Sequence, residues 1–399
     1  MRAAFERLRR VYGEAERRAP GLAARFRAAG LSAEDLVDAE ALSRLPVLKK
    51  ETLLAMQAAD PPFAGFLACD LAELSRIYVS PGPIFEPSLA GDGTGHGMDA
   101  MFRGAGVGPG DLALNTWSYH LVPAGLLFDE GLRAVGATVI PSGTGNSVLQ
   151  ADLITTLRPS VFLGSTAYFA TLVAELEGRG VELPDGWSVR HAFLGGEFGD
   201  WSAKRAALEA RYGLKTWSCY ATADFGLIGY ETPGEAGYAI HPDRFVQICD
   251  PETGQPLGLG QSGEIVVTTL ARGWPMIRFG TGDVARSLMM DADGGATRIS
   301  PLEGRAGAAV KAREIFIYPS HVEALAARLD GVTEARVAVA RPGSREEITL
   351  ELLPSGAGRD ERVAEIFQVL TRLRPDHIRW VDGPDDFRIA SRLVDRKDV

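Results

Sequence analysis

Residues 111–165 read DLALNTWSYHLVPAGLLFDEGLRAVGATVIPSGTGNSVLQADLITTLRPSVFLGS and decide the fold class. Short apolar runs at 111–117, 137–142 and 161–165 alternate with helix-like stretches at 126–136 and 148–157. A strand followed by a helix, repeated, indicates βαβ units and a mostly parallel sheet. Ligands of such sheets bind at the carboxyl ends of the strands, so we expect a site in the loops that follow these runs.

The same α/β pattern extends in both directions from this stretch. Apolar runs at 76–80, 190–196 and 215–220 alternate with helix-like segments at 168–178 and 200–213. Residues 1 to about 60 predict short amphipathic helices broken at Pro20 and Pro46, and a β-rich lobe begins near 235. The last 95 or so residues suit a small α+β domain. We therefore predict a large domain over 1–303 and a small mobile domain over 304–399.

Composition and charge narrow the class of protein. The 399 residues include 42 Lys and Arg against 52 Asp and Glu, a net charge of −10, without a basic block. Nucleic acid is therefore an unexpected partner, and no apolar stretch is long enough to predict a membrane span. The N-terminal residues are charged and helix-periodic, which predicts no signal peptide. Three scattered Cys and six dispersed His predict neither a disulfide framework nor a metal site, and they suit a cytoplasmic protein.

Several segments, taken in their order along the chain, point to a particular family of proteins. They are LPVLKKETL (45–53), GVGPG through TGN (106–146), LGGEFGDW (194–201), CDPETG through FGTGD (249–283), EGRAG (303–307) and KAREIFIYPSHVE (311–323). Together they resemble the phenylacetate-CoA ligase branch of the adenylate-forming enzymes. The resemblance covers nearly the whole chain and implies an adenylate-forming fold, with a large domain of parallel α/β sheets plus a β-lobe and a small α+β C-terminal domain.

The resemblance also implies roles for individual residues. The catalytic candidates are His120 and Arg305. The acyl group would contact Tyr119, Pro123, Gly125 and Phe225. A nucleotide would contact Gly195, Gly196, Glu197, Tyr220, Thr222, Asp224 and Asp283. Asp283 suits ribose because two carboxylate oxygens can accept hydrogen bonds from two hydroxyl groups. Taken alone, tyrosines such as Tyr119 and Tyr220 are more often core aromatics, and Asp283 could equally belong to an Asx turn.

One segment departs from the family where the family binds phosphate. The family loop reads Ser-Ser-Gly-Thr-Thr-Gly-Lys-Pro, and this chain keeps Ser80, Gly82 and Pro87 in that register. Between them, Thr-Thr-Gly-Lys is replaced by Pro83-Ile84-Phe85-Glu86. Proline removes a backbone donor, and Glu86 puts a negative charge where the family lysine meets triphosphate. At ~4 Å and an effective dielectric constant of ~20, exchanging attraction for repulsion amounts to about 8 kcal/mol before screening.

Three other motifs also differ from the family at positions that the family uses in adenylation. The family's Tyr-Gly-x-Ser/Thr-Glu becomes Tyr220-Ala221-Thr222-Ala223-Asp224, with Ala at a phosphate-binding hydroxyl. The hinge Gly-Arg-x-Asp becomes Gly304-Arg305-Ala306-Gly307, and the position of the adenylation lysine falls on Ile389. These departures predict a protein that does not adenylate its substrate.

Three functions stay open on the sequence. The first is an ATP-independent acyltransferase that moves an acyl or aryl group between CoA and another thiol, such as the pantetheine of an acyl carrier protein. In that enzyme His120 would be the base, and Cys219 is a weaker candidate for a covalent nucleophile because a Cys that ends an apolar strand is usually inert. The second is an ATP-dependent acyl- or aryl-CoA ligase, and the third a non-catalytic binding or scaffold protein. A CoA or pantetheine thioester is the expected cofactor, whereas ATP, AMP and Mg²⁺ are left undecided.

Overall fold

The computed structural model describes residues 3–80, 84–89, 96–196, 202–270, 272–306, 310–313, 315–317, 319–342, 345–356, 359–371, 373–381 and 393–396. These residues form two compact units. The first takes in the described residues up to Ala306, and the second those from Val310 onward.

The first 60 residues form helices, as their sequence predicts. The elements are α1 (Ala3–Arg18), α2 (Pro20–Ala28), α3 (Ala39–Ser43), the short strand β1 (Leu48–Lys49) and α4 (Lys50–Ala59). Pro20 occupies the first turn of α2, where its missing N–H has no helical partner to lose. Pro46 lies between α3 and β1. The apolar faces of α1 and α2 bury Leu8, Tyr12 and Phe26 against the core of the first unit.

Strands β2 (Leu74–Ser80) and β3 (Ile84–Leu89) form a separate two-stranded antiparallel ribbon. The sequence predicts the run at 76–80 as part of the α/β sheet, and this prediction is wrong. Each strand of the ribbon buries an apolar side chain in a hydrophobic core, Tyr78 from β2 and Ile84 from β3. Their apolar character therefore reflects packing against neighbouring elements rather than a place in the parallel sheet.

A five-stranded parallel sheet forms the α/β part of the first unit. Its elements and flanking helices are α5 (Met98–Gly104), β4 (Leu112–Asn115), α6 (Ala124–Ala134), β5 (Thr138–Ile140), α7 (Ser147–Leu157), β6 (Val161–Ser165), α8 (Thr166–Gly178), β7 (His191–Gly195), α9 (Ser202–Tyr212) and β8 (Lys215–Trp217). The strand order is β5-β4-β6-β7-β8, with every pair parallel. The predicted α/β class is confirmed.

An antiparallel sheet follows in the same unit. Its strands are β9 (Cys219–Thr222), β10 (Gly226–Tyr230), β11 (Tyr238–Ile240), β12 (Arg244–Cys249), β13 (Ser262–Thr269), β14 (Phe279–Met290), β15 (Ala296–Ile299) and β16 (Gly304–Arg305). The run at 215–220, predicted as one strand, divides between the two sheets: β8 closes the parallel sheet and β9 opens this one. Strand β1 joins the antiparallel sheet through a parallel pairing with β14 at Phe279 and Gly280.

The second unit has its own sheet and helices. It contains β17 (Val310–Ala312), β18 (Ile315–Ile317), α10 (Pro319–Arg328), β19 (Val332–Ala340), β20 (Glu347–Pro354), α11 (Val363–Thr371), β21 (His377–Trp380) and β22 (Leu393–Arg396). The four-stranded order is β21-β20-β19-β22, and buried Val337, Leu350 and Phe367 contribute to its core. The predicted α+β character of this region is confirmed.

Candidate functional site

The first candidate group lies after β4, at the carboxyl edge of the parallel sheet. Asn115 Nδ2 donates to the hydroxyl oxygen of Tyr119 at 2.8 Å, and the Tyr119 hydroxyl donates to Asp129 Oδ2 at 3.1 Å. Burial and the neighbouring Asp129 carboxylate raise the pKa of Tyr119 above its usual value. Tyr119 is therefore neutral and held on both sides. We call Asn115, Tyr119 and Asp129 the Tyr119 group; its ring can serve as a fixed wall but its hydroxyl is not a base.

The start of α6 packs closely against this loop. Asn115 Nδ2 also donates to the carbonyl of Gly125 at 2.9 Å, and the Gly125 N–H donates to Ser118 O at 2.9 Å. A Cβ on Gly125 would lie 2.5 Å from Ser118 O, so only glycine permits this approach. Pro123, predicted beside it as an acyl contact, is buried at the cap of α6.

His120, the predicted base, is exposed. The next residue, Leu121, has φ 61°, and Val122 N donates to His120 O at 2.7 Å across it. This is a γ-turn of the strained kind, which L-residues adopt rarely. The Leu121 carbonyl accepts from Val79 N at 2.9 Å, which ties the turn to the end of β2. The turn places His120 in solvent between the Tyr119 group and the β2–β3 ribbon.

The second candidate group lies where the sequence predicts an altered phosphate loop. Glu86 on β3 is 2% exposed, and its Oε1 accepts a hydrogen bond from Ser80 Oγ at 2.8 Å. Its carboxyl group also contacts that of Asp224, whose Oδ2 accepts from Lys50 Nζ at 3.2 Å. Burial first, and then the Asp224 carboxylate, raise the pKa of Glu86 well above its usual range. We call Lys50, Ser80, Glu86 and Asp224 the carboxyl cluster.

Local structure explains how the carboxyl cluster is assembled. In the β2–β3 register Ser80 lies opposite Ile84, which places Glu86 and Ser80 on the same face of the ribbon. Gln57 of α4 holds the backbone of Phe85 with two hydrogen bonds of 2.9 Å, so the helix that begins with Lys50 is fixed against β3. Thr222, a predicted nucleotide contact, ends β9 two residues before Asp224, and its buried hydroxyl has no partner among the described residues.

The third candidate group surrounds Asp283 on β14. The Tyr220 hydroxyl donates to Asp283 Oδ2 at 2.9 Å, and Arg305 Nη1 donates to Asp283 Oδ1 at 2.6 Å. Strand β16 places Arg305 directly opposite Asp283. The Asp283 side chain is 8% exposed, and burial raises the pKa of Tyr220 well above its usual value. We call these three residues the Asp283 group; each carboxylate oxygen already has a partner within the protein.

Two residues that the sequence analysis assigned no role support the Asp283 group. Glu264 on β13 is 2% exposed; its Oε1 accepts from the Gly282 N–H at 3.1 Å, and its Oε2 pairs with Lys49 Nζ. Gly282 has φ 74°, and the Glu264 hydrogen bond fixes this turn immediately before Asp283. Lys49 and Lys50 are therefore adjacent residues that reach two different acidic groups. Their occurrence as a pair in LPVLKKETL was the available signal, but their partners are more than 170 residues away in the chain.

The remaining predicted residues fall in different places. Gly195 ends β7, and Gly196 follows it with φ 98°; Glu197 lies outside the described residues. Phe225 is buried in the core, where it packs edge to face on Phe279 with ring centroids 5.3 Å apart. Burial raises the pKa of Cys219 to about 12, the opposite of what an activated nucleophile requires.

The described part of the chain contains no group of three or more His, Cys, Asp or Glu side chains arranged to hold a metal ion. None of its helices combines the length and apolar character needed to cross a membrane.

The folding pattern places the protein in the adenylate-forming superfamily, which includes CoA ligases. A crystal structure of 2-hydroxyisobutyryl-CoA ligase in complex with 2-HIB-AMP and CoA matches with a TM-score of 0.87 at 25% identity, over 99% of this chain and 89% of that one. The amide bond synthetase McbA from Marinactinospora thermotolerans shares the fold, with a TM-score of 0.57 at 18% identity over 78% of this chain and 66% of that one.

The chain belongs to the phenylacetate-CoA ligase family. It is 30% identical over 365 residues to phenylacetate-coenzyme A ligase from Thermus thermophilus, covering 87% of this chain and 80% of that protein. It is 29% identical over 335 residues to the phenylacetate-coenzyme A ligase of Escherichia coli, covering 80% of this chain and 74% of that protein. No family model matches the sequence. The predicted family is confirmed.

Proposed function

We propose that this protein is an ATP-independent acyltransferase that moves an acyl or aryl group from a CoA thioester to another thiol. The family relationship supports chemistry on acyl or aryl acids and CoA. The departure from ATP chemistry rests on one observation, the burial of Glu86 within the carboxyl cluster. The acceptor thiol that we propose is the pantetheine of an acyl carrier protein or of a second CoA.

The carboxyl cluster does not fit a magnesium-bound triphosphate. A phosphate in this region would meet the Asp224 carboxylate in a place shielded from water, where like charges repel most strongly, and the Glu86 carboxyl group beside it supplies no positive charge. Lys50, the basic side chain bonded to Asp224, is already engaged by that carboxylate. Both acids would have to move or exchange partners before a phosphate could bind. The proposed reaction therefore does not use ATP.

Both carboxylate oxygens of Asp283 are already bonded within the protein. For ribose to bind, its hydroxyl groups would have to displace the Tyr220 hydroxyl or share the Asp283 oxygens with Arg305. Breaking a hydrogen bond to a buried carboxylate removes about 1.5–3 kcal/mol of stabilisation. In the proposed enzyme Arg305 keeps a cation near the bound thioester, and Asp283 holds that cation in position.

The proposed chemistry needs no nucleotide. The acceptor thiol gives its proton to the His120 imidazole, and the thiolate attacks the carbonyl carbon of the thioester. A new C–S bond forms, the bond to the CoA sulfur breaks, and the departing thiolate takes back one proton. Thioester bonds are exchanged one for one. Tyr119, Pro123 and Gly125 would position the acyl group beside the exposed His120, and positioning supplies most of the rate enhancement.

The alternative function is an ATP-dependent acyl- or aryl-CoA ligase, favoured by the family's established members and by the presence of Asp283 and Arg305. The test incubates the purified protein with ATP, Mg²⁺ and a panel of aryl and short acyl acids. The acyltransferase proposal predicts pyrophosphate release no faster than without protein. Rapid acid-dependent release would establish the ligase alternative. A protein that releases no pyrophosphate and transfers no acyl group would instead be a binding or scaffold homologue.

A further inference from the structure

The carboxyl cluster brings two buried acids, Glu86 and Asp224, into contact. We propose that Glu86 is protonated in the resting protein and donates a hydrogen bond to Asp224. This bond completes a continuous series of hydrogen bonds from Ser80 through Glu86 and Asp224 to Lys50. Glu86 would hold this proton whichever reaction the protein catalyses. The proton is tested by measurements of folding and protonation, and the proposed function by measurements of activity.

Counting donors and acceptors leads to this proton. Ser80 Oγ donates to Glu86 Oε1, and Lys50 Nζ donates to Asp224 Oδ2. The two remaining oxygens, Glu86 Oε2 and Asp224 Oδ1, are buried and have no hydrogen-bond donor among the described residues. Ionised carboxylates only accept hydrogen bonds, so two of them in contact leave both oxygens unsatisfied. One proton on Glu86 Oε2 turns an acceptor into a donor and satisfies both atoms at once.

The charges lead to the same conclusion. With both acids ionised, Glu86, Asp224 and Lys50 would sum to one negative charge in a region where Glu86 is 2% and the Asp224 side chain 5% exposed. Burying an unbalanced charge is strongly unfavourable, and a single proton brings the sum to zero. A pair of carboxyl groups that share one proton is the usual outcome when two acids are forced together.

The proton lies on Glu86 rather than on Asp224 because the two acids have different neighbours. Asp224 accepts a hydrogen bond from the Lys50 ammonium at 3.2 Å. Glu86 receives only the neutral Ser80 hydroxyl from β2, where Tyr78 lies opposite it in register, and α4 contributes Lys50 and Gln57 to the same region. The charged groups that act on Glu86 from these described elements are Asp224, which opposes ionisation, and Lys50, which favours it.

The consequence is a dependence of folding on pH. The unfolded chain loses the Glu86 proton near its ordinary pKa of 4.5, whereas the folded protein keeps it to a much higher pH. Between those two values the folded state binds one proton more, so stability decreases as pH rises. The unfolding equilibrium constant should increase about tenfold per pH unit from this residue alone. The contribution is complete below the unfolded value and is lost as pH rises through the folded value.

The test compares the full-length wild type with Glu86→Gln in denaturant unfolding between pH 5 and 8. The glutamine amide can donate to Asp224 and accept from Ser80 without taking up a proton. We expect the wild-type unfolding constant to rise relative to the variant as the pH increases from 5, by up to about tenfold for each pH unit, until the folded protein also loses the proton. Glu51→Gln, at an exposed position of α4, is the matched control and should keep the wild-type slope. Equal slopes for wild type and Glu86→Gln would overturn the proposal.

A second measurement keeps the test decisive if Glu86→Gln fails to fold. Infrared spectra of the wild type at pH 7 should contain the carbonyl band of a buried protonated carboxyl group, and this band should shift in deuterated water. Absence of the band would contradict the proposal. Stabilisation of the wild type at pH 8 by Mg²⁺ or Ca²⁺ alone, lost in Asp224→Asn, would also contradict it, because a cation would then occupy the place assigned to the proton.

Discussion

Among single residues, Glu86 is the one on which the proposed departure from ATP chemistry most depends. An acid occupies the position of the family lysine, and this could be predicted from the sequence. Its partners could not, because Lys50 and Asp224 lie 36 residues before and 138 residues after it in the chain and meet Glu86 only in the folded protein. Alignment with the family motif was therefore enough to identify the altered residue. The carboxyl cluster that contains it became visible only in the tertiary contacts.

Restoring the family lysine should not restore adenylation. In Glu86→Lys the phosphate region would still contain Pro83, Ile84 and Phe85, and Ala223 and Ile389 would still replace family side chains. We expect pyrophosphate release with ATP, Mg²⁺ and the acid panel to stay at the background of Glu86→Gln, the matched control. Acid-dependent release by Glu86→Lys would show that the other substitutions have been given too much weight.

Removing the proposed base should affect the reaction and not the fold. His120 is exposed, so His120→Gln is expected to leave the unfolding midpoint unchanged. Loss of a general base typically lowers a rate by about 10²–10⁴-fold. Initial rates of acyl transfer to pantetheine measure the effect, with His377→Gln, an exposed histidine of the second unit, as the control. A His120→Gln rate within twofold of wild type would remove His120 from the mechanism.

The Asp283 group makes a prediction about stability. Tyr220→Phe deletes the hydrogen bond to a buried carboxylate, for which we expect a loss of about 1.5–3 kcal/mol in unfolding free energy. Tyr238→Phe deletes a hydrogen bond to the neutral Ser218 hydroxyl and should lose about 0.5–1.5 kcal/mol. Denaturant unfolding of the two variants compares them directly. Equal losses would mean that Asp283 is not the anion that Tyr220 stabilises.

At the scale of secondary-structure elements, the parallel sheet was predictable and the ribbon was not. Strands β4, β6 and β7 are nearly continuous apolar runs because both faces of a parallel sheet are covered. The ribbon strand β2 has a similar composition, and periodicity does not distinguish a strand buried in a sheet from one buried against helices. The division of 215–220 between two sheets was missed for the same reason.

The junction between β4 and α6 should tolerate no side chain at Gly125. A methyl group there would lie 2.5 Å from Ser118 O, so Gly125→Ala must displace the helix or the loop that carries Tyr119. We expect a loss of about 1–3 kcal/mol in unfolding free energy. Gly178→Ala, at a helical glycine with open space around it, should be neutral or slightly stabilising. Calorimetry of both variants tests this, and a neutral Gly125→Ala would contradict the close approach.

At the scale of the whole molecule, the order of motifs was sufficient to predict the family and the α/β class, because these follow from segments spread over the entire chain. The reaction type does not follow from them, since a fold supports different chemistries through a few side chains. Among the described residues, the first unit contains the carboxyl cluster and the Asp283 group, and its adjacent Lys49 and Lys50 bond to Glu264 and Asp224. In the proposal, the acyl-CoA chemistry depends on the family, and the departure from ATP depends on this local arrangement.

The most direct test of the proposed function is acyl transfer in the absence of nucleotide. Benzoyl-CoA and a pantetheinylated carrier protein are incubated with the enzyme without ATP, and the acylated carrier is followed by intact-mass measurement. The account predicts acylated carrier and one free CoA for each group transferred, at a rate that added ATP and Mg²⁺ do not change. Acylation of the carrier only from the free acid, with ATP consumed, would contradict it.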